Sequence, residues 1–195
     1  MFLAVIALTL GALVGLLRGG RLAELARYRV RLKWLAVLCW LLQVGLFLSP
    51  LGRFVDPWAG SLHFASAVLI GLVILSNRHI RGLSVVGLGL LLNALVYAAN
   101  GGFMPVAEGA LIAAGSETEL VLLQEGRIQK TFLMEPATPL AVLGDVVPIG
   151  FIHKVYSPGD LVATVGVFVL MVAGMEPRTH VRRIWYAKSG NQIHA

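Results

Sequence analysis

The sequence predicts an all-α integral membrane protein, a five-helix transmembrane bundle with a structured outer segment between spans 4 and 5. Hydrophobic residues make up 57% of the chain and charged residues only 13%, and the mean hydropathy is +0.82. These values lie far from those of soluble domains. Five apolar runs approach the roughly 20 residues that a helix needs to cross the hydrocarbon core. The 195 residues are enough for one domain, so we expect a single membrane domain over 1–195.

The predicted spans cover about 2–17, 34–51, 58–76, 82–99 and 160–175. The first and last are short, so they need basic ends that snorkel or a thinned bilayer to cross. The first run starts without a preceding basic region. We therefore expect it to remain as a helix rather than to be cleaved as a signal peptide.

The basic residues fix the predicted orientation, because Lys and Arg near span ends favour the cytoplasmic side. With alternating connections, one side holds 12 of the 16 basic residues: Arg18, Arg21, Arg27, Arg29, Arg31, Lys33, Arg78, Arg81, Arg178, Arg182, Arg183 and Lys188. The other side holds four: Arg53, Arg127, Lys130 and Lys154. We therefore predict a multi-pass protein of the cytoplasmic (inner) membrane, with the N-terminus outside and the C-terminus inside. The acidic residues show the opposite bias: Asp56, Glu108, Glu117, Glu119, Glu125, Glu135, Asp145 and Asp160.

Membrane lipid is the first partner that the sequence predicts. The stretch "RGGRLAELARYRVRLKW" alternates apolar and basic residues, which is typical of an amphipathic segment on a headgroup surface. Arg18 and Arg21 are its candidate headgroup contacts, and plain topological anchoring is the alternative. The Trp-Tyr pair of the tail also predicts interfacial anchoring, and a membrane-protein partner is a further expectation.

Several other classes of partner and site are not predicted. No basic face with interleaved aromatic residues occurs, so we do not expect nucleic-acid binding. The sequence has no CxxC, HExxH, P-loop or dinucleotide fingerprint, so we predict no cofactor and no metal. The single cysteine, Cys39, cannot form a disulfide within the chain.

The outer segment, about 100–159, is too long for an unstructured loop. Its part "ELVLLQEGRIQKTFLM" has two apolar runs separated by a turn with glycine, which predicts a β-hairpin. Its part "LAVLGDVVPIGFIHKVY" is apolar but interrupted by Pro148 and Gly150. We expect this part to be half-inserted or interfacial, covered by protein or lining a wet cavity.

Polar residues gather where the fourth apolar run ends. Asn93 and Asn100 are seven residues apart, so their side chains share one helix face. Asn93 lies inside an apolar helix, where its amide needs hydrogen-bond partners. Asn100 is followed by Gly101 and Gly102, and then by Met104 and Pro105. The alternatives are an interhelical hydrogen bond for Asn93 and a helix stop for Asn100.

Two carboxylates are the most informative polar residues. Asp160 follows "YSPG" at the start of the fifth run, so helix capping alone would explain it. Asp145 is a lone acid in an apolar segment, which is unfavourable unless the acid is paired, hydrated or protonated. We predict that Asn93, Asn100, Asp145, Asp160 and the hydroxyl of Ser157 line one cavity near the outer face.

Four stretches resemble an uncharacterised bacterial multi-span membrane family, domain of unknown function 5317: "GLLRGGRLAEL", "LLNALVYAANGGFMPV", "LAVLGDVVP" and "VYSPGDLVATVGV". The resemblance implies these motif positions: Arg18, Gly19, Gly20, Arg21, Asn93, Asn100 to Pro105, Asp145 and Ser157 to Asp160, with Gly159 among them. Pro158 departs from the small aliphatic residue expected there. The resemblance implies no activity.

A second, local resemblance is to the lipoprotein signal peptidases. In that family two catalytic aspartates lie near the outer ends of spans, and Asp145 and Asp160 are similar in order and side. Ser157 replaces the asparagine that precedes the second aspartate in that family, Gly159 replaces its alanine, and the arginine after the first aspartate is absent.

Three functions follow from these residues. The first is a module that binds a small ligand, a lipid or a partner through a polar pocket, with Asn93, Asn100, Gly101, Gly102, Met104, Pro105, Ser157 and Gly159 as candidate ligand-binding residues. The second is an intramembrane aspartyl-type hydrolase in which Asp145 and Asp160 are catalytic and share a proton. The third is a structural or assembly subunit whose polar residues only join helices.

Overall fold

The computed structural model describes residues 2–48, 59–128 and 131–177. The predicted tail anchor at the Trp-Tyr pair, and the connection that carries Arg53 and Asp56, lie outside these residues. The described part contains five long helices: α1 (Phe2–Leu17), α3 (Lys33–Leu48), α4 (Ala59–Ser76), α5 (Leu83–Ala99) and α8 (Pro158–Gly174). Three shorter helices are α2 (Leu22–Leu25), α6 (Glu108–Ala113) and α7 (Glu117–Gln124). The strands are β1 (Met104–Val106), β2 (Thr131–Leu133), β3 (Val147–Ile149) and β4 (Lys154–Tyr156).

The prediction of a five-span transmembrane bundle is wrong for the described residues. Each of the five apolar runs contributes a helix, but none of the described helices is long and apolar enough to cross a membrane. At 16 to 18 residues, these helices rise about 24–27 Å, less than the hydrocarbon thickness of roughly 30 Å. The structure therefore does not support the predicted multi-pass placement in the inner membrane with the N-terminus outside.

The long helices pack in the order α1, α8, α5, α4, α3. The last helix in the sequence thus lies between α1 and α5. Glycines allow this close packing: a Cβ added at Gly89 of α5 would lie 2.5 Å from the backbone nitrogen of Ala163, and one added at Gly159 would lie 2.7 Å from the carbonyl oxygen of Gly89. Such separations leave no room for a side chain, so α5 and α8 approach backbone to backbone.

The outer segment forms neither the β-hairpin predicted for its first part nor the half-inserted segment predicted for its second part. The stretch predicted as the first strand of a hairpin forms α7, whose first turn holds Glu117 and Glu119, where acidic side chains favour the helix N-terminus. Strand β2 pairs in parallel with β1, with Phe132 opposite Pro105. The stretch predicted to be half-inserted contains the antiparallel hairpin of β3 and β4. Its prolines and glycines interrupt a helix, and two short strands satisfy the backbone instead.

The helix connections at one end of the bundle carry basic residues, and we call this end the basic end. It comprises 18–33, 77–82 and 175–177. Asn77 is fully buried and joins two of these connections, since its side chain accepts a hydrogen bond from the Arg31 nitrogen at 2.8 Å and donates to the Arg31 oxygen at 2.8 Å. The backbone nitrogen of Arg21 donates to the Met175 oxygen at 3.0 Å. The opposite end, which we call the acidic end, comprises the described residues of 100–160 together with Asn93 and Tyr97.

Candidate functional site

Three predicted site residues meet where α5 packs on the start of α8. Ser157 is the N-cap of α8, and its hydroxyl accepts a hydrogen bond from the Asp160 nitrogen at 3.0 Å. In turn, Oδ2 of Asp160 accepts a hydrogen bond from the Ser157 nitrogen at 3.4 Å. These two hydrogen bonds form a capping box. The side chain of Asn93 donates to Asp160 Oδ1 at 2.8 Å and accepts from Ser157 Oγ at 2.8 Å.

This network satisfies the half-buried amide of Asn93 from α5 and the buried hydroxyl of Ser157 at the start of α8. Ser157 is completely buried, and Asn93 uses both ends of its amide, so neither is left unsatisfied. Gly159 lies beneath the network, and a side chain there would collide with Asn93 Oδ1. The motif "SPGD" therefore both starts α8 and provides the space that Asn93 occupies.

Asp145 reaches the same region through its backbone. Its nitrogen donates to the Pro105 oxygen at 2.9 Å, and its oxygen accepts from the Ala107 nitrogen at 3.0 Å. Asp145 and Val106 also form a parallel bridge. Strand β1 thus fixes the position of the acid, although no hydrogen bond of its carboxyl oxygens is formed within the described residues.

The surroundings of Asp145 favour its protonated form. Burial, together with the charges of Asp160 and Glu119, raises the pKa of Asp145 from 3.8 to about 7. No hydrogen bond joins the carboxyl groups of Asp145 and Asp160, but they are near enough for the charge of one to act on the other. The site therefore holds one carboxylate engaged by hydrogen bonds and one carboxyl that titrates near neutral pH.

Tyr97 is a member of this group that the sequence analysis missed. It lies one helical turn after Asn93 on α5, and burial with the charges of Asp145 and Asp160 raises its pKa to about 12. Its phenol therefore stays protonated at neutral pH and keeps a hydrogen-bond donor. The spacing of four residues from Asn93 was the available signal, because residues i and i+4 share a helix face.

Asn100 and the residues after it form the turn that leads into β1. The side chain of Asn100 donates to the oxygens of Val96 at 2.9 Å and Pro139 at 3.0 Å, so it does not join the Asn93 network. Gly101 and Gly102 adopt positive φ of 64° and 91°, which glycine tolerates best. Met104 and Pro105 are buried in β1. These residues position the segment of Asp145 rather than contact Asp160.

The predicted headgroup contacts lie at the opposite end of the bundle. Arg18 and Arg21 are both exposed. Between them, Gly19 has a positive φ of 76°, and a Cβ added at Gly20 would lie 2.8 Å from the Met175 oxygen. The two glycines therefore fold the chain tightly onto the end of α8, and the arginines extend from that turn.

A cleft of about 760 Å³ runs along α4 and α5, with Ala36 of α3 at its edge. Its walls are mostly aliphatic and include Val68, Ile74 and Leu91. Asn93 and Tyr97 lie toward the end of the cleft that adjoins the acidic end. Ser84 and Arg78 lie toward the basic end, and the sequence analysis singled out neither for a site.

The chemistry of these residues favours hydrogen bonding and proton exchange over metal binding. Among the described residues, no three His, Cys, Asp or Glu side chains are placed to hold a metal ion. The polar side chains that line the cleft are the amide of Asn93, the phenol of Tyr97, the guanidinium of Arg78 and the hydroxyl of Ser84.

One comparison with known proteins identifies the family. The model of a family of unknown function, DUF5317, matches residues 27–172. An uncharacterized protein of Thermotoga maritima (strain ATCC 43589 / DSM 3109 / JCM 10099 / NBRC 100826 / MSB8) is 28% identical over 136 residues, which cover 68% of this chain and 74% of that protein. No solved structure matches the chain. Because the family model covers well over half of the chain and agrees with the resemblance of its motifs, the protein belongs to the DUF5317 family.

Proposed function

We propose that the protein binds a small amphipathic molecule whose hydrocarbon chain lies in the cleft between α4 and α5. The observation that carries this proposal is the distribution of polarity in the cleft. Its walls are aliphatic over their length, and its polar side chains lie toward the two ends. Such a site accepts an apolar body and a polar group, as small-molecule sites commonly do.

The length and exposure of the cleft suit a single hydrocarbon chain. Between Ser84 and Tyr97, α5 rises about 20 Å. Leu75, Leu88 and Leu91 line the cleft and remain 67%, 51% and 55% exposed. A chain that covers them gains about 0.8 kcal/mol for each buried CH₂ group.

The hydrogen-bonding groups near the acidic end mark where the apolar part of the cleft ends. Asn93 is held by Ser157 and Asp160, so its position on the cleft wall is fixed. Tyr97 keeps its phenol protonated. Fixed polar groups in an apolar site provide orientation and specificity.

Filling the cleft tests this function. A Cβ added at Gly71, which lines the cleft, meets no atom within 4 Å, and the same is true at Gly109 of α6, which lies outside the cleft. We expect Gly71→Leu to weaken the binding of dodecan-1-ol to the full chain at least tenfold by calorimetry, while Gly109→Leu binds like the natural chain. Equal binding by all three proteins, or no binding by any, would reject the proposal.

The aspartates favour hydrolysis as a second candidate. Asp145, with a pKa of about 7, would donate a proton to a leaving group, and the carboxylate of Asp160 would accept a proton from the attacking water. Against this candidate, both oxygens of Asp160 are already engaged. Ligand binding does not require a free oxygen on Asp160, so we prefer the binding function to hydrolysis.

The hydrolysis candidate has its own test. The p-nitroanilide of dodecanoic acid would place an amide bond on a chain that fits the cleft. Release of p-nitroaniline by the natural chain, lost in both Asp145→Asn and Asp160→Asn, would support hydrolysis. Release that is absent, or equal in the variants, would reject it and leave the binding proposal standing.

A further inference from the structure

The two ends of the cleft differ in charge, and this difference bears on the polar group of the ligand. Arg78 lines the cleft near the basic end. Its guanidinium makes no hydrogen bond or ion pair within the described residues. Arg81, three residues later, is already paired with Glu176 at 3.1 Å, so the two arginines are not equivalent.

The opposite end of the cleft repels anions. Asn93 and Tyr97 lie there beside the carboxyl groups of Asp160 and Asp145, and burial together with these two acids raises the pKa of Tyr97. Lys154, a basic residue of the acidic end, is paired with Glu119 at 2.7 Å. Within the described residues of this end, an anionic group would thus face the carboxyl groups of Asp145 and Asp160, while Arg127 and Lys154 are already paired with glutamates.

We propose that the ligand is a single-chain lipid with a carboxylate headgroup, bound with the carboxylate at Arg78 and the end of its chain toward Asn93 and Tyr97. This inference rests on the proposed function and adds the class and orientation of the ligand. A guanidinium binds a carboxylate through paired, charge-assisted hydrogen bonds. Ser84, whose hydroxyl makes no hydrogen bond within the described residues, lines the same end of the cleft and offers a further donor.

The reverse orientation is disfavoured by the same charges. A carboxylate near Tyr97 would lie close to the carboxylate of Asp160, whose oxygens accept hydrogen bonds from Asn93 and Ser157. Like charges at close range oppose binding, and the low polarity of the cleft strengthens that repulsion. The chain end, which is neutral, avoids this cost.

Three ligands with one chain length test the inference: dodecanoate, dodecan-1-ol and dodecylamine. Below their micellar concentrations, we expect the full chain to bind dodecanoate about tenfold more tightly than dodecan-1-ol, and more tightly than dodecylamine. Equal binding of the acid and the alcohol, or a preference for the amine, would overturn the inference while the proposed function stands. Failure of all three to bind would instead reject the proposed function.

Arginine variants locate the headgroup. Arg78→Gln should reduce the affinity for dodecanoate to that for dodecan-1-ol and leave the alcohol unchanged. Arg29→Gln is the matched control, because Arg29 is an exposed arginine of the basic end that does not line the cleft. It should bind both ligands like the natural chain. An equal loss in both variants would assign the preference to the general charge of the basic end and overturn the inference.

Discussion

At the acidic end, Asp160 is held by hydrogen bonds from Asn93 and Ser157, whereas at the basic end Arg18 and Arg21 extend from a turn that is held by its backbone. The first arrangement fixes charged side chains in a partly buried network, and the second leaves them exposed. Fixed polar groups provide geometry, while exposed charges provide mainly long-range attraction. The two ends therefore differ in how firmly their charged groups are held.

The largest expected effect comes from disrupting the close contact between α5 and α8 at the acidic end. In Gly159→Leu the new side chain would collide with Asn93 and with the backbone of α5, so we expect a loss of about 3 kcal/mol or more in the free energy of unfolding. Chemical denaturation of the full chain measures it. Gly109→Ala is the control, since its Cβ meets no neighbour; similar losses in both would show that the close approach of α5 and α8 is unimportant.

The next effect tests whether the buried side chain of Asn77 holds the connections of the basic end together. Asn77→Ala removes the hydrogen bonds to Arg31 and leaves its backbone groups without those partners, so we expect a loss of about 2–3 kcal/mol. Arg31→Gln keeps the backbone and should change stability little. If Asn77→Ala unfolds at the same denaturant concentration as the natural chain, the buried amide does not hold this end together.

A third effect concerns the titration of Asp145. Its pKa rises from 3.8 to about 7 on folding, so the unfolded chain loses this proton first and the free energy of unfolding falls as the pH increases between these values. Asp145→Asn cannot ionise, and we expect it to be up to about 4 kcal/mol more stable than the natural chain near pH 8.

The advantage of Asp145→Asn should disappear as the pH falls below about 4, where the acid is protonated in both states. Unfolding curves across this pH range provide the measurement. Glu135→Gln, at an exposed acid of the same end, should show no such dependence. A variant that is less stable than the natural chain near pH 8 would mean that folding favours the charged form of Asp145, contrary to the expected effect of its burial.

The smallest effect sharpens the contrast between fixed and exposed charges. Arg81 and Glu176 form an ion pair at the basic end with side chains that are 72% and 52% exposed. Arg81→Gln should change the free energy of unfolding by less than about 0.5 kcal/mol, and less again at high salt. A change as large as that of Asn77→Ala would contradict the view that this end is held by its backbone.

Parts of the site could be predicted from the sequence because the residues themselves are unusual. Asn93 is an amide in an apolar helix, and "SPGD" combines an N-cap with an acid three residues later, so both needed partners. Tyr97 and Arg78 were missed because an aromatic residue on an apolar face and an arginine after a helix are ordinary by composition. Their importance depends on the cleft, which is formed by residues from three helices.

Some failures of prediction have a shared cause. Apolar runs predict buried or membrane helices alike, and the described helices are too short to span. The run in α7 was taken as a strand because short apolar stretches do not distinguish the two structures. Gly82 and Gly89, like Gly159 and Gly166, are seven residues apart, and only the packed structure shows that these glycines allow close approach of two helices.

The sequence by itself determined the positions of the apolar helices, the separation of basic from acidic residues along the chain, and the need of Asn93 and Asp160 for partners, because these depend on local composition and spacing. Only the tertiary structure decided that α8 lies between α1 and α5, that β1 holds the backbone of Asp145, and that a cleft joins Arg78 to Tyr97. Those features depend on contacts between residues far apart in the chain, where glycine packing and paired backbone groups, rather than local preference, select the arrangement.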